Sequence, residues 1–93
     1  MNQQQFIPLS QLRIGQSGIV QKVDAELLPH NIDLEANELE QRILEIGIIE
    51  GVKIKVLHFG LIKRDPLAIQ IADNTTLAIR RNEASMILVK VSQ

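Results

Sequence analysis

"LEIGIIEG", Leu44–Gly51, holds two glycines four residues apart, directly before the alternating run "VKIKVLHF", Val52–Phe59. Upstream of the glycines the apolar period is helical. Leu39, Ile43 and Ile46 recur at three- and four-residue spacing, with Leu44 beside them. Downstream the period is two: Val52, Ile54 and Val56 alternate with Lys53, Lys55 and Leu57. The chain must stop a helix and start a strand within a few residues. Gly47 suits the residue just past the helix end, where positive φ is favoured. Gly51 suits the third position of a type II turn, which also needs positive φ. Both glycines are read as structural. They do not form a phosphate loop, which needs more glycine and a following Lys-Ser/Thr.

Working back from Gly47, the helix is expected to start near Asn37. Asn37 is a good capping residue, and Glu40 follows three positions later, as in a capping box. Glu38 and Glu40 sit where the helix dipole favours acids. Glu38 and Arg42 have the spacing of an intrahelical ion pair. Before the helix, residues 25–36, "AELLPHNIDLEA", form an atypical loop interrupted by Pro29. Still earlier, "IVQKVD" (Ile19–Asp24) reads as a strand, with Gly15 and Gly18 bracketing the turn into it. Leu9, Leu12 and Ile14 are expected inward around a short helical turn capped by Ser10, and Phe6 and Ile7 over one end of the core. Residues 1–5 are polar and expected to be flexible.

Working forward from Val52–Leu57, "GLIKRDP" (Gly60–Pro66) reads as a loop. Leu67, Ile69 and Ile71 alternate inward. Asp73–Asn74 suits a tight turn, since both residues tolerate left-handed backbone. "TTLAIR" (Thr75–Arg80) returns with Leu77 and Ile79 inward, Asn82 caps one helical turn, "EASM", and Ile87, Val89 and Val91 mark a last strand. The expectation is a mainly β chain: five short strands, one helix after the first strand and one helical turn before the last. That pattern suits a small SH3-like β-barrel. Ninety-three residues suit one domain spanning 1–93.

Apolar residues make up 45% of the chain, yet the only aromatics are Phe6 and Phe59, so the core is aliphatic. The net charge of −1 gives no bulk attraction to nucleic acid or anionic membrane. With so few stacking residues, no nucleic-acid partner is expected. There is no cysteine, hence no disulfide or thiolate site. The N-terminal residues do not read as a signal peptide. No apolar run approaches the roughly 20 residues that span a bilayer. A cytoplasmic protein without direct membrane insertion is expected. Two histidines and scattered acids give no nucleophile–base pair, so no enzymatic activity is expected.

Four residues are candidates for a divalent metal: His30, Asp33 and Glu35, which form H-x-x-D-x-E, and His58 near a strand end. Imidazole and carboxylate suit such ions, but the spacing matches no known ligand pattern, and solvated loop or barrel-edge positions account for all four. No cofactor is expected. The basic residues Lys63, Arg64, Arg80 and Arg81 read either as solvated surface or as a docking patch for an acidic partner. Arg80 or Arg81 can also bridge to Glu83. "LHFGLI" (Leu57–Ile62) carries Leu57, Phe59, Leu61 and Ile62 and reads as an interaction loop, unless Phe59 plugs the barrel end.

Four stretches together resemble the FeoA family of bacterial ferrous iron transport: "PLSQLRIGQSGIVQKV" (Pro8–Val23), "RILEIGIIEGVKIKVL" (Arg42–Leu57), "DPLAIQI" (Asp65–Ile71) and "LAIRRNEASMILV" (Leu77–Val89). The resemblance implies an SH3-like barrel. It also implies an accessory, non-enzymatic role with FeoB, a membrane permease carrying a cytosolic G-protein domain. The related domain at the C-terminus of iron-dependent repressors shares the fold, but this chain shows no helix-turn-helix pattern. Glu50 stands where many family members carry proline, and residues 25–36 are long for the family. Self-association, a metal-responsive (Fe²⁺ or Mn²⁺) role and, ranked last, a nucleic-acid-binding SH3-like barrel are the alternatives at this level.

Overall fold

The computed structural model describes residues 5–27, 36–72 and 74–92. The expected flexible start (1–4), the centre of the atypical loop with His30, Asp33 and Glu35, and Asp73 of the expected turn lie outside the described residues. The fold is mainly β, in the SH3-like class expected. One antiparallel sheet contains six strands, not five, in the order β1-β6-β2-β3-β4-β5. They are β1 (Phe6–Pro8), β2 (Ser17–Val23), β3 (Lys53–Ile62), β4 (Asp65–Ile71), β5 (Thr75–Ile79) and β6 (Ile87–Val91). Helix α1 (Ala36–Glu45) follows β2, and the single turn α2 (Arg81–Ala84) precedes β6.

The extra strand is β1. Of the two residues expected over the core only Ile7 packs against it, while Phe6 is exposed; with Pro8 they pair along β6, Ile7 opposite Val89. Three residues are too few to show a period of two, so only the partner strand reveals them. The expected loop "GLIKRDP" is also a correction. β3 continues to Ile62 and β4 begins at Asp65. The reversal takes two residues, Lys63 and Arg64, at φ +56° and +59°. Positive φ at both central residues is the type I′ requirement, and its twist matches the strands it joins. Lys-Arg carries no glycine or asparagine cue, so the hairpin was hidden. Ala72, at φ +55°, helps turn β4 into β5.

Gly47 and Gly51 both take the positive φ that their positions require. At the end of α1, Ile48 N–H donates to the Ile43 carbonyl (3.3 Å) and Gly47 N–H to the Leu44 carbonyl (3.1 Å). This is a Schellman motif with Gly47, at φ +104°, in the left-handed position. Its hydrophobic contact pair, Ile43 and Ile48, is buried. Gly51 sits at φ +92° and the Val52 N–H reaches the Ile49 carbonyl at 3.1 Å, as a type II turn demands. That turn is fastened to β2 by Gly51 N–H to the Val20 carbonyl (2.8 Å) and Val20 N–H to the Val52 carbonyl (2.9 Å). The turn therefore closes helix, strand and sheet at one point.

The helix start differs. Asn37 lies inside α1, and the Glu40 carboxylate accepts from the Ala25 N–H across the fold (3.0 Å) rather than from its own helix. Arg42 pairs not with Glu38 but with Glu83 of α2, at 2.6 Å. Asn82 does not cap α2, whose N-cap is Arg80, and Ser10 offers no side-chain cap. Where Asp24 begins the turn Ala25–Leu27, the Glu26 N–H and Lys22 hold its carboxyl below the ordinary value.

Leu9, Leu12, Ile43, Ile54, Val56, Leu67, Ile69, Ile71, Ile79, Ile87 and Val89 are buried as read, joined by Ile48 and Met86. Ile14 and Ile46 were expected inward but are exposed. Burying a side chain of this size contributes about 1.5–3 kcal/mol.

Gly47→Ala tests the helix stop. A Cβ there has room, its nearest neighbour being Ile71 Cδ1 at 3.8 Å. The cost is then conformational, about 1–2 kcal/mol, and the melting temperature should fall by about 4–8 °C per kcal/mol. An unchanged melting temperature would refute the Schellman assignment.

Candidate functional site

The β3–β4 hairpin end and the start of α2 meet at one corner of the sheet. β3 carries two irregularities against β4, between Val56 and His58 and between Phe59 and Ile62. Each inserts an extra residue and bends the strand. The second leaves Gly60 directly under the Asp65–Pro66 peptide, where an added Cβ would overlap the Asp65 carbonyl. The bend carries the hairpin end past the core. Leu61 is fully exposed and Ile62 is 77% exposed.

Arg81 fastens this end down. Its Nη1 donates to the Ser10 carbonyl (2.7 Å), and its Nη2 and Nε to the Arg64 carbonyl (2.8 and 3.1 Å). Its backbone N–H donates to the Asp65 carboxylate (2.9 Å). Its guanidinium lies over the Phe59 ring, 4.9 Å from the centroid, and Arg64 lies near the same ring at 5.9 Å. One side chain thus joins the segment before β2, the hairpin turn, β3 and α2. The fixed fork of guanidinium donors allows this where a lysine ammonium would not.

Beside Arg81, the buried Glu83 accepts from the Arg80 N–H (2.8 Å) and from Arg42 Nη2 (2.6 Å). Glu83 is the one buried charged side chain among the described residues. Both its bonds are charge-assisted. The bridge from Arg80 or Arg81 expected for Glu83 is replaced by the Arg80 backbone and by Arg42.

The basic cluster is therefore a real spatial cluster, but its members differ. Arg81 and the half-buried Phe59 serve the fold, Phe59 packing against the core. Leu61, Ile62, Lys63, Arg64 and Arg80 face outward. A cleft of about 380 Å³ is lined by Ile62, Lys63, Asp65, Pro66 and Arg80. A second, of about 530 Å³, runs along residues Ser10–Ile14 with Phe59 and Arg64. The sequence reading missed Arg13 and Ile14 as members of this corner. They adjoin Gly15, but nothing in their own spacing ties them to a hairpin fifty residues away. "LHFGLI" belongs to β3 rather than to a loop. His58 is an exposed strand residue paired with Ala68. Among the described residues no three His, Asp or Glu side chains group as metal ligands. No described helix is long and apolar enough to cross a membrane.

The sequence pattern defining the FeoA domain matches residues 7–91. The chain belongs to the FeoA family. Among solved structures, FeoA of Stenotrophomonas maltophilia, complexed with zinc and described as an SH3 domain protein, is 27% identical, with a TM-score of 0.67. The match covers 96% of this chain and 91% of that one. FeoA of Chlorobium tepidum is 28% identical over 94% of this chain and 71% of its own, with a TM-score of 0.70. A manganese-dependent transcriptional repressor shares the fold at 19% identity and a TM-score of 0.73, with the likeness spanning 39% of its chain. A comparison with curated proteins finds no match. The FeoA assignment makes this a small protein associated with ferrous iron transport.

The clasp is tested by Arg81→Ala. Losing three hydrogen bonds at about 0.5–1.5 kcal/mol each predicts a loss of roughly 2–4 kcal/mol. Lys63→Ala, at the exposed turn, should stay within about 0.5 kcal/mol of the parent. Urea titration of both variants decides; equal midpoints would remove Arg81 as the organising residue.

Proposed function

We propose that this FeoA-family chain is a non-enzymatic, cytoplasmic accessory protein of bacterial ferrous iron uptake. It acts by protein–protein contact with an FeoB-like membrane permease bearing a cytosolic G-protein domain. The observation that supports this reading is the outward-facing set Leu61, Ile62, Lys63, Arg64 and Arg80 on a corner braced by Arg81. Exposed apolar side chains ringed by cations favour an acidic, partly apolar partner surface. The brace holds the backbone of that surface in place before binding, which lowers the ordering cost of association.

A metal-responsive module is the second reading, favoured by the zinc complex of the S. maltophilia relative. It would draw on His58, and on His30, Asp33 and Glu35 outside the described residues. A rise in melting temperature with Fe²⁺ or Mn²⁺, lost in His58→Ala or His30→Ala, would support it.

The partner reading is tested by calorimetric titration against the detergent-solubilised permease of the same organism, with and without guanine nucleotide. Saturable binding is expected, weakened at least ten-fold by the double charge reversal Lys63→Glu with Arg80→Glu, at unchanged melting temperature. No binding in any nucleotide state would overturn the accessory role. Undiminished binding by the folded double variant would move the contact elsewhere on the chain.

A further inference from the structure

Leu61 and Ile62 are neighbours beside the second irregularity of β3. Leu61 is 102% and Ile62 77% exposed. The end of the hairpin therefore projects as a wedge with two uncovered aliphatic side chains just behind the Lys63–Arg64 turn. A fluid apolar medium can close around both.

The charges around the wedge are sorted. Arg13, Lys63, Arg64, Arg80 and Arg81 against Asp65 give this corner a net charge of +4, so the rest of a chain of net −1 carries −5. Asp65 is occupied by the Arg81 N–H, and Arg81 by backbone carbonyls. Arg13, Lys63, Arg64 and Arg80 are in no ion pair among the described residues. Lys63 and Arg80 line a cleft with Ile62, and Arg13 and Arg64 line the neighbouring one. The exposed acids Glu26, Glu38, Glu45 and Glu50 lie in other elements, and none of them lines either cleft of this corner. An anionic surface would attract the corner and repel the remainder, which orients the molecule tip first.

We propose that the β3–β4 hairpin tip is a lipid-interface anchor. Leu61 and Ile62 dip into the headgroup–acyl boundary of an anionic bilayer, and Lys63, Arg64, Arg80 and Arg13 reach lipid phosphates. The long stems of the turn residues Lys63 and Arg64 let their charges fold back to phosphate level while Leu61 and Ile62 reach the headgroup–acyl boundary. Two side chains and four cations make a weak, reversible anchor, dependent on lipid charge and on salt. This departs from the expectation of no direct membrane contact, which rested on net charge and on the lack of a long apolar run; neither measures a local patch. The inference rests on the proposed role beside a membrane permease: lipid and permease are alternative occupants of this corner, and the lipid would concentrate the protein at the membrane before the corner is handed to the permease.

The test uses vesicles without any permease. The protein is floated with phosphatidylcholine vesicles, with and without one third phosphatidylglycerol, at low and high salt. Binding to the anionic vesicles should exceed binding to neutral ones at least ten-fold and fall at high salt. The double variant Leu61→Ser with Ile62→Ser should lose about ten-fold in binding at unchanged melting temperature. The chain has no tryptophan or tyrosine, so Ile62→Trp supplies a single reporter. Its emission should shift to the blue on anionic vesicles, while Leu44→Trp on α1 should not respond. Failure to float, equal floating on neutral vesicles, an unaffected Ser variant, or no shift at position 62 would each overturn the anchor. Permease binding in detergent alongside failure on vesicles would overturn the anchor and leave the accessory role standing. Vesicle binding without permease binding would do the reverse.

Discussion

One guanidinium organises the corner on which the rest of the functional argument depends. Arg81 spends its side-chain donors on the carbonyls of Ser10 and Arg64 and rests against the Phe59 ring. Arg64 and Phe59 belong to the β3–β4 hairpin and Ser10 to the segment before β2, which pairs with neither residue. The Arg64 carbonyl belongs to a turn residue in the left-handed region, whose orientation is set by the type I′ geometry. The clasp therefore reads the hairpin turn directly: a different turn would aim that carbonyl elsewhere. In return, it prevents a hairpin that overhangs the core from swinging freely.

A second, buried contact supports the clasp. Glu83 ties the start of α2 to Arg42 on α1, while its other oxygen accepts from the Arg80 backbone. A buried carboxylate is costly unless its charge is met. Arg42 and the Arg80 N–H meet it, and in doing so fix where α2 begins. The position of Arg81 follows, since it is the first residue of that turn. α1 is thereby connected to the hairpin corner through three residues, although helix and hairpin share no strand pairing.

The division of labour inside one basic cluster has a physical logic. Arg64 and Arg81 both lie near Phe59, yet only Arg81 has all three of its guanidinium nitrogens bonded to backbone carbonyls. Lys63 and Arg80 have no internal ion partner among the described residues. A cation bonded to the backbone beneath and cations without an internal ion partner above make a surface that is ordered before it meets anything. The same arrangement leaves Leu61 and Ile62 without cover, because the irregularities in β3 carry the tip beyond the reach of the core.

The sequence by itself determined the parts that depend on local backbone and on period. The alternation of Ile54, Val56, Leu67, Ile69, Ile71, Ile87 and Val89 named most of the core, since strand side chains have only two faces to choose between. Gly47 and Gly51 were legible because each answers a positive-φ demand within four residues of chain. The ordered motifs carried the FeoA family and the barrel with it. Tertiary structure alone decided the rest. It recruited Phe6–Pro8 as a sixth strand, which only β6 could do. It gave Arg42 to Glu83 instead of Glu38, because a buried carboxylate outcompetes an exposed one for a cation. It built a two-residue turn from Lys63-Arg64, residues that do not favour one. It brought Arg13 and Ile14 to the same corner across fifty residues. In the site, the acceptors that sort structural from outward-facing arginines are mostly main-chain carbonyls. Every residue carries one, so no side-chain pattern can tell in advance which of them will be used.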